Sequence, residues 1–332
     1  MLIRLILEYP ALDWLSHLFT MMPVSGRLDL RCLYGAPWRI DQAAADIGGI
    51  AYHAPLAGSV ILEDPQRGLS HRLDSGDILL VPSGLAHSLY DGSGAPPGPA
   101  SSRPGLNMVF SENAGSGERL DMLCGHFFTS LQHNRVLRAY LPPLLIVRGE
   151  RHVDVQGQGT VGVQVSSLLS LMRSETENES LGGDALLNAL STALFTLTLR
   201  LASTDDAAPA GLLALAAHPR LSPALTAMFE DPAHSWTLPE LSRLCNMSRA
   251  TFARYFQRNL GHSAADLLLD IRMILASNEL KKPSSSVASV AETVGYQSEA
   301  AFQRVFKQKM GITPAQWRRA SASKRSRRSS RT

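Results

Sequence analysis

Residues 248–261 read SRATFARYFQRNLG and residues 298–311 read SEAAFQRVFKQKMG. Seven positions agree in type at an offset of 50 residues: Ser248/Ser298, Ala250/Ala300, Phe252/Phe302, Arg254/Arg304, Phe256/Phe306, Leu260/Met310 and Gly261/Gly311. Each residue type has a mechanical reason to be there. A serine suits a helix N-cap, where its hydroxyl accepts an orphan backbone N–H. Phenylalanines four apart lie on one face of a helix and can be buried together. A glycine thirteen residues after the cap suits a left-handed terminator. Each copy is preceded by a second short apolar segment, LPELSRL at Leu238–Leu244 and VASVAETV at Val287–Val294, with three turn residues between. Two short helices joined by a tight turn make a helix-turn-helix. The spacing predicts two of them, held apart by one longer helix over Ala264–Leu280.

The exposed positions of the two predicted second helices are Arg249, Ala250, Ala253, Arg254 and Gln257 in the first, and Glu299, Ala300, Gln303, Arg304 and Lys307 in the second. Arg and Gln can pair bidentately with base edges, and alanine can admit a thymine methyl. Two such helices on one unit can enter successive major grooves about 34 Å apart. Charge agrees. The chain carries a net +3, but residues 225–332 hold 17 Lys+Arg against 8 Asp+Glu, while residues 1–224 are net acidic. A basic last third suits a polyanionic partner. The final segment, SASKRSRRSSRT, reads as a basic disordered tail over 321–332. Even without it, residues 225–320 carry 12 positive and 8 negative side chains.

The second copy extends to Gly295-Tyr296-x-Ser298-x-x-x-Phe302-x-Arg304-x-Phe306-x-x-x-Met310-Gly311-x-Thr313-Pro314-x-x-Trp317-Arg318. This resembles the signature of the AraC family of bacterial transcription regulators, over about residues 221–319. The resemblance implies a regulator that binds promoter or operator double-stranded DNA and works with RNA polymerase. It places family base contacts on Ala250, Ala253, Arg254, Glu299, Ala300, Gln303 and Arg304. Ala250 and Ala253 replace larger side chains often used there, so the first helix is expected to read fewer bases directly.

The first half reads differently. Residues 27–112 alternate short apolar runs with Gly, Pro and Asp, the pattern of a sheet. The stretch Asp91–Gly105 is expected to be a loop. Gly76-Asp77-x-x-x-x-Pro82-x-Gly84-x-x-His87 has the spacing of the second cupin motif and so predicts a cupin-like β-barrel with His87 pointing inward. The first cupin motif is not intact. Only His53 and a later Glu63 lie near its place, and His71 stands apart. His53 and His87 are the only candidate metal ligands, and two imidazoles make a poor site. No metal or other cofactor is therefore expected, and an enzyme of the cupin dioxygenase kind is not expected either.

Three cysteines in 332 residues are too few for a disulfide framework and suit a reducing, cytoplasmic setting. Cys32 follows Arg31, with Arg27 upstream, and cationic neighbours favour a reactive thiolate. Cys124 lies in Cys124-Gly125-His126-Phe127, and Cys245 falls in the turn of the first helix pair, where packing explains it. Leu12-Asp13-x-Leu15-Ser16, Asp29-x-x-Cys32-x-x-Gly35-x-x-Trp38, the cupin segment and Cys124-Gly125 together resemble a subgroup of AraC-type regulators that includes a reactive-chlorine-sensing activator of enteric bacteria. That resemblance implies an activator whose redox-sensing cysteines are Cys32 and Cys124. The alternative is a cupin that takes a metal or small molecule and regulates through that ligand.

The expected architecture is α+β: a cupin-like sensor domain over 1–155, a helical linker over 156–210, a double helix-turn-helix domain over 211–320, and the tail. In the linker, Leu186, Leu187, Leu190, Leu194, Leu197 and Leu201 recur at helical spacing. This stripe can pack on the sensor domain or pair with a second copy, and the resemblance favours a homodimer. Apolar runs fall short of about 20 residues, so no membrane span is expected.

Overall fold

The computed structural model describes residues 12–44, 49–64, 68–149, 161–178, 180–203 and 210–329, with side chains to residue 321. The chain divides into two compact units, Val24–Ala217 and a second unit that combines His218–Thr332 with the residues up to Pro23.

The first unit is built on two sheets. The strands in chain order are β1 (Ser25–Gly35), β2 (Arg39–Gln42), β3 (Gly49–Ala57), β4 (Ser59–Glu63), β5 (Ser70–Asp74), β6 (Ile78–Val81), β7 (His87–Tyr90), β8 (Ala100–Pro104), β9 (Val109–Asn113), β10 (Arg119–Phe128) and β11 (Leu145–Val147). Seven of them form one sheet in the order β11-β6-β3-β10-β1-β9-β8, and four form the other in the order β2-β7-β4-β5. The expected barrel is therefore an open pair of sheets. Neither hydrogen-bond ladder closes onto the other, and the two are joined by their side chains instead. Cys32, Tyr34, Ala51, Leu79, Val81, Met122 and Cys124 from the larger sheet meet Val60, Leu62, Leu73 and Leu89 from the smaller in one buried cluster.

One segment departs from its expected loop. Ala100–Pro104 is an edge strand paired to β9. Every residue in it is exposed, and an edge strand tolerates proline and polar side chains on its open side. The cupin-like turn is as expected at Gly76 and Gly84, both at positive φ. Asp77 is buried there, accepting hydrogen bonds from Gly149 N at 3.1 Å and Arg148 Nη1 at 2.6 Å.

A short helix, α2 (Leu131–Tyr140), follows β10, and α3 (Val161–Asn178) and α4 (Gly183–Ala202) cover the outer face of the larger sheet. Tyr52 bonds Ser191 at 2.9 Å, and the rings of Phe127 and Phe195 lie 4.7 Å apart. Helix α4 is 20 residues long with a mean hydropathy of 1.4, as long and apolar as a membrane span. Its burial of Leu187, Leu194, Phe195 and Leu199 accounts for that composition. Leu186, on another face, is exposed. A further helix, α5 (Leu212–Ala217), ends this unit.

In the second unit, α1 (Trp14–Met21) is capped by Asp13 and precedes, in chain order, α6 (Ser222–Glu230), α7 (Leu238–Leu244), α8 (Arg249–Leu260), α9 (Ala264–Glu279), α10 (Val287–Thr293), α11 (Glu299–Met310) and α12 (Pro314–Ser329). The sequence reading placed α1 in the sensor domain. It packs on the helical unit instead, with the ring of Trp14 tilted against Phe229 at 6.3 Å and Asn278 donating to Met21 O at 2.6 Å. The apolar spacing of Leu15, Leu18 and Met21 serves that contact. The basic segment expected to be disordered continues α12 as far as Ser329. The two ends of the expected helical linker, residues 156–160 and 204–209, lie outside the described residues.

Candidate functional site

Both repeats fold as the spacing predicts. Ser248 accepts from Thr251 N and Ser298 from Ala301 N, and Gly261 and Gly311 end their helices at φ 69° and 78°. Phe252, Phe256, Phe302 and Phe306 are at most 1% exposed. The two halves are joined through α9. Arg272 donates to the carbonyls of Pro232, Ala233 and His234, which lead into the first helix pair, and lies over the ring of Tyr296 in the second. Gly295 presses against Ala233 O, which a Cβ would meet at 2.2 Å. Trp317 donates to Ser277 O at 3.0 Å and closes the second half.

With the apolar faces buried, the remaining positions point outward. Arg249, Ala250, Ala253, Arg254 and Gln257 on α8 are all exposed, as are Glu299, Ala300, Gln303, Arg304 and Lys307 on α11. Gln303 bonds Glu299 at 2.7 Å, and Gln257 bonds Gly261 O at 3.0 Å. Arg254 and Arg304 make no ion pair among the described residues, so both guanidinium groups are open to an anion or a base edge. A groove of about 470 Å³ runs beside α8, between Arg254 and Gln257 on one side and Trp236, Leu238 and Leu268 on the other.

The first unit holds a second cluster. Strand β10 lies between β1 and β3, with Cys124 opposite Leu30 on one side and His53 on the other. Cys32 is two residues beyond Leu30 on β1, opposite Met122, which puts both thiols on the inner face. Their sulfurs are 3.9 Å apart. His53 Nδ1 is 3.2 Å from Cys124 Sγ, and His53 Nε2 is 2.9 Å from His87 Nε2 on the opposite sheet. His87 Nδ1 lies 3.0 Å from Leu85 O. Cys32 is 1% and Cys124 is 7% exposed. Hydrogen bonding to Cys32 and then burial hold the Cys124 thiol well above its ordinary range, so it rests protonated. Burial, then His87 and His126, hold His53 well below its ordinary value, and burial lowers His87 too.

One expectation changes. The cationic neighbour of Cys32 is turned away, because successive strand residues face opposite sides. Arg31 is buried on the outer face, bidentate on Asp121 at 2.9 and 2.8 Å and bonded to Thr176 and Glu177 of α3. Arg27 pairs with Asp29 at the surface. The basic groups beside the thiols are imidazoles. The cupin family's metal does not fit these residues, since the two nitrogens of His53 face different partners. Among the described residues no group of three or more His, Cys, Asp or Glu could hold a metal ion. His71 lies on β5 opposite Leu62, and Glu63 pairs with Arg39. The sequence treated histidines and cysteines as separate candidates, and only the sheet register brings them together. Cys245 is buried in its turn, as expected of a packing residue.

A profile described as Cupin matches residues 13–203, and one described as Helix-turn-helix domain matches residues 241–320. The chain is a cupin-domain member of the AraC family of transcription regulators. Its relatives include an HTH-type transcriptional regulator of Haemophilus influenzae, 29% identical over 93% of this chain and 99% of the relative. The RCS-specific HTH-type transcriptional activator RclR of Escherichia coli is 28% identical over 92% of this chain and 97% of its own. The regulator MtrA of Neisseria gonorrhoeae is 27% identical over 94% and 100%. Among solved structures, the DNA-binding domain of AdpA in complex with a target DNA covers 32% of this chain and 96% of its own, at 27% identity and a TM-score of 0.30. This AraC-type chain is a DNA-binding transcription regulator and not an enzyme.

Proposed function

We propose that this AraC-family protein is an activator that reads its operator with α8 and α11 and is switched by oxidation of Cys32 and Cys124. The observation that carries the reading is the thiol pair, two sulfurs 3.9 Å apart on neighbouring strands in a buried core. A disulfide has its sulfurs about 2.05 Å apart, so closure draws β1 and β10 together at one point. The outer face of that same point carries the Arg31–Asp121 pair, which grips Thr176 and Glu177 of α3. A shift between the strands is therefore felt by α3 and α4, from which the chain runs on to the DNA-binding helices. On α8 and α11, Arg249, Arg254, Gln257, Gln303, Arg304 and Lys307 supply the donors, and Ala250, Ala253 and Ala300 allow close approach to bases. Glu299 can accept from a cytosine amino group. The partly exposed face of α4, with Leu186, Leu190 and Leu197, suits a second copy and supports a homodimer. RNA polymerase is the expected partner at the promoter, in the cytoplasm.

The test is a gel shift and a run-off transcription assay on the DNA upstream of the gene, with reduced and peroxide- or hypochlorite-treated protein. Oxidation should change binding or transcription, and Cys32→Ser and Cys124→Ser should each abolish the change. A full response in both variants would leave the alternative of a small ligand held in the cupin domain. Absence of any retardation at low salt, where phosphate contacts are strongest, would contradict the reading of α8 and α11.

A further inference from the structure

We propose that His53 is the base that takes the proton of Cys124, which makes Cys124 the first sulfur oxidised and Cys32 the one that resolves it. The proposal deepens the redox reading above and rests on it.

The hydrogen-bond chain fixes every proton. Leu85 O can only accept, so His87 Nδ1 carries the proton of that 3.0 Å bond. A neutral His87 then has a bare Nε2, which must accept from His53 Nε2–H across 2.9 Å. A neutral His53 in turn has a bare Nδ1, aimed at Cys124 Sγ at 3.2 Å. Cys124 therefore donates its S–H to His53, and Cys32 donates its own to Cys124. Both imidazoles are neutral because burial depresses them. One terminal carbonyl thus orients four side chains on four strands, β1, β10, β3 and β7. Only Cys124 among the two thiols has a nitrogen base in contact. When its proton moves to His53, the thiolate keeps two donors, the imidazolium N–H and the Cys32 S–H. Among the described residues, no imidazole or amine is hydrogen-bonded to the sulfur of Cys32, which meets Cys124 instead.

Exposure points the same way, 7% at Cys124 against 1% at Cys32. A surface cavity of about 520 Å³, lined by Arg39, Asp41, Glu63, Ser88 and His87, reaches the far end of the chain. The thiols themselves are too buried for a bulky disulfide reagent, so the oxidant is a small uncharged X–OH molecule, hydrogen peroxide or hypochlorous acid. With peroxide, the Cys124 thiolate attacks one oxygen. An S–O bond forms, the O–O bond breaks, and the departing hydroxide takes the proton held on His53 to become water. The sulfur of Cys32 then attacks Cys124. The S–S bond forms, the S–O bond breaks, and the second hydroxide leaves with the Cys32 proton as water. Two thiols lose two electrons in all, and one peroxide becomes two waters.

The experiment uses the full-length protein with hydrogen peroxide as the probe, quenched at intervals and read by peptide mass spectrometry. Samples quenched into denaturant containing dimedone, a sulfenic-acid trap, should show Cys124 labelled in Cys32→Ser and Cys32 unlabelled in Cys124→Ser over the same period. His53→Leu should slow oxidation of Cys124 about 100-fold, within the range of general-base effects. His87 acts through His53 as a positioning residue. His87→Gln, which keeps an acceptor for His53, should stay within a few fold of wild type, while His87→Leu should be slow. Proton–nitrogen correlation spectra of the unmutated protein check the same point without a variant: His87 should be the Nδ1–H tautomer and His53 the Nε2–H tautomer. The opposite tautomers, a wild-type rate in His53→Leu, or prompt labelling of Cys32 in Cys124→Ser would overturn the assignment while leaving a wild-type disulfide intact. If the unmutated protein forms no Cys32–Cys124 bond at all, the redox reading itself fails.

Discussion

Cys32 and Cys124 form a diagonal pair on adjacent antiparallel strands, Cys32 opposite Met122 and Cys124 opposite Leu30, with their sulfurs 3.9 Å apart and facing the core. The reduced pair is sealed from solvent, and Cys245 is equally buried. Native protein should therefore react slowly with an alkylating reagent at all three thiols. After denaturation, reduced protein should take three labels per chain and oxidised protein only one, on Cys245. Intact-mass spectrometry reads this directly. Three labels after oxidation would show that the pair does not close.

The Arg31–Asp121 pair is deeply buried, so breaking it leaves an uncompensated charge. Arg31→Met should cost roughly 3–5 kcal/mol of stability. Adding Asp121→Leu should recover part of that loss, since the stranded carboxylate is gone. Urea unfolding of the two variants measures the difference. Equal stability of single and double variants would mean that Arg173, 3.6 Å from Asp121, already compensates.

On α8 and α11, proposed above to read the operator, exposed and buried residues should separate cleanly. Arg254→Ala and Arg304→Ala should each lose about 1–3 kcal/mol of specific binding with unchanged folding. Phe252→Ala or Phe302→Ala should instead cost about 3–5 kcal/mol of stability. Fluorescence anisotropy on specific and scrambled DNA, paired with thermal unfolding, tells the two classes apart. Removing residues 321–332 should weaken binding to both DNAs alike, because a basic segment without base contacts senses only phosphate.

Gly295 combines φ 80° with a carbonyl where a side chain would stand. Gly295→Ala should destabilise the helical unit by more than the roughly 1 kcal/mol of an ordinary helix substitution, and Asn should not rescue it, since the steric contact is with backbone. Circular dichroism melting checks this.

The neutral, buried His53 gives stability a defined pH dependence. In the unfolded chain a histidine titrates near pH 6.5, while in the fold its pKa lies well below that. Between those values the unfolded state binds more protons, so stability falls as the pH drops below about 6.5 and is level above it. The slope is roughly 1.4 kcal/mol per pH unit for each such histidine. Urea unfolding at a series of pH values should show it, and His53→Gln should flatten the curve.

The sequence by itself determined the helical unit. Its folding rules are local: a serine cap, phenylalanines four apart and a glycine terminator each act within one turn of helix, and the repeat states them twice. It also determined which side chains of α8 and α11 face outward, because helical periodicity leaves no other choice. The assembly of the sheets was decided only by tertiary structure. That Ala100–Pro104 is an edge strand, that the two sheets stay open, and that α1 joins the distant helices all depend on partners far along the chain. So does the thiol cluster. Cys32, His53, His87 and Cys124 stand on four strands, and no spacing along the chain encodes their meeting. A shift of one residue in the pairing of β1 with β10 would have turned Arg31 inward and Cys32 out, because strand side chains alternate with period two. Register, set by the burial of each whole strand, chose the imidazole over the guanidinium as the neighbour of the thiols.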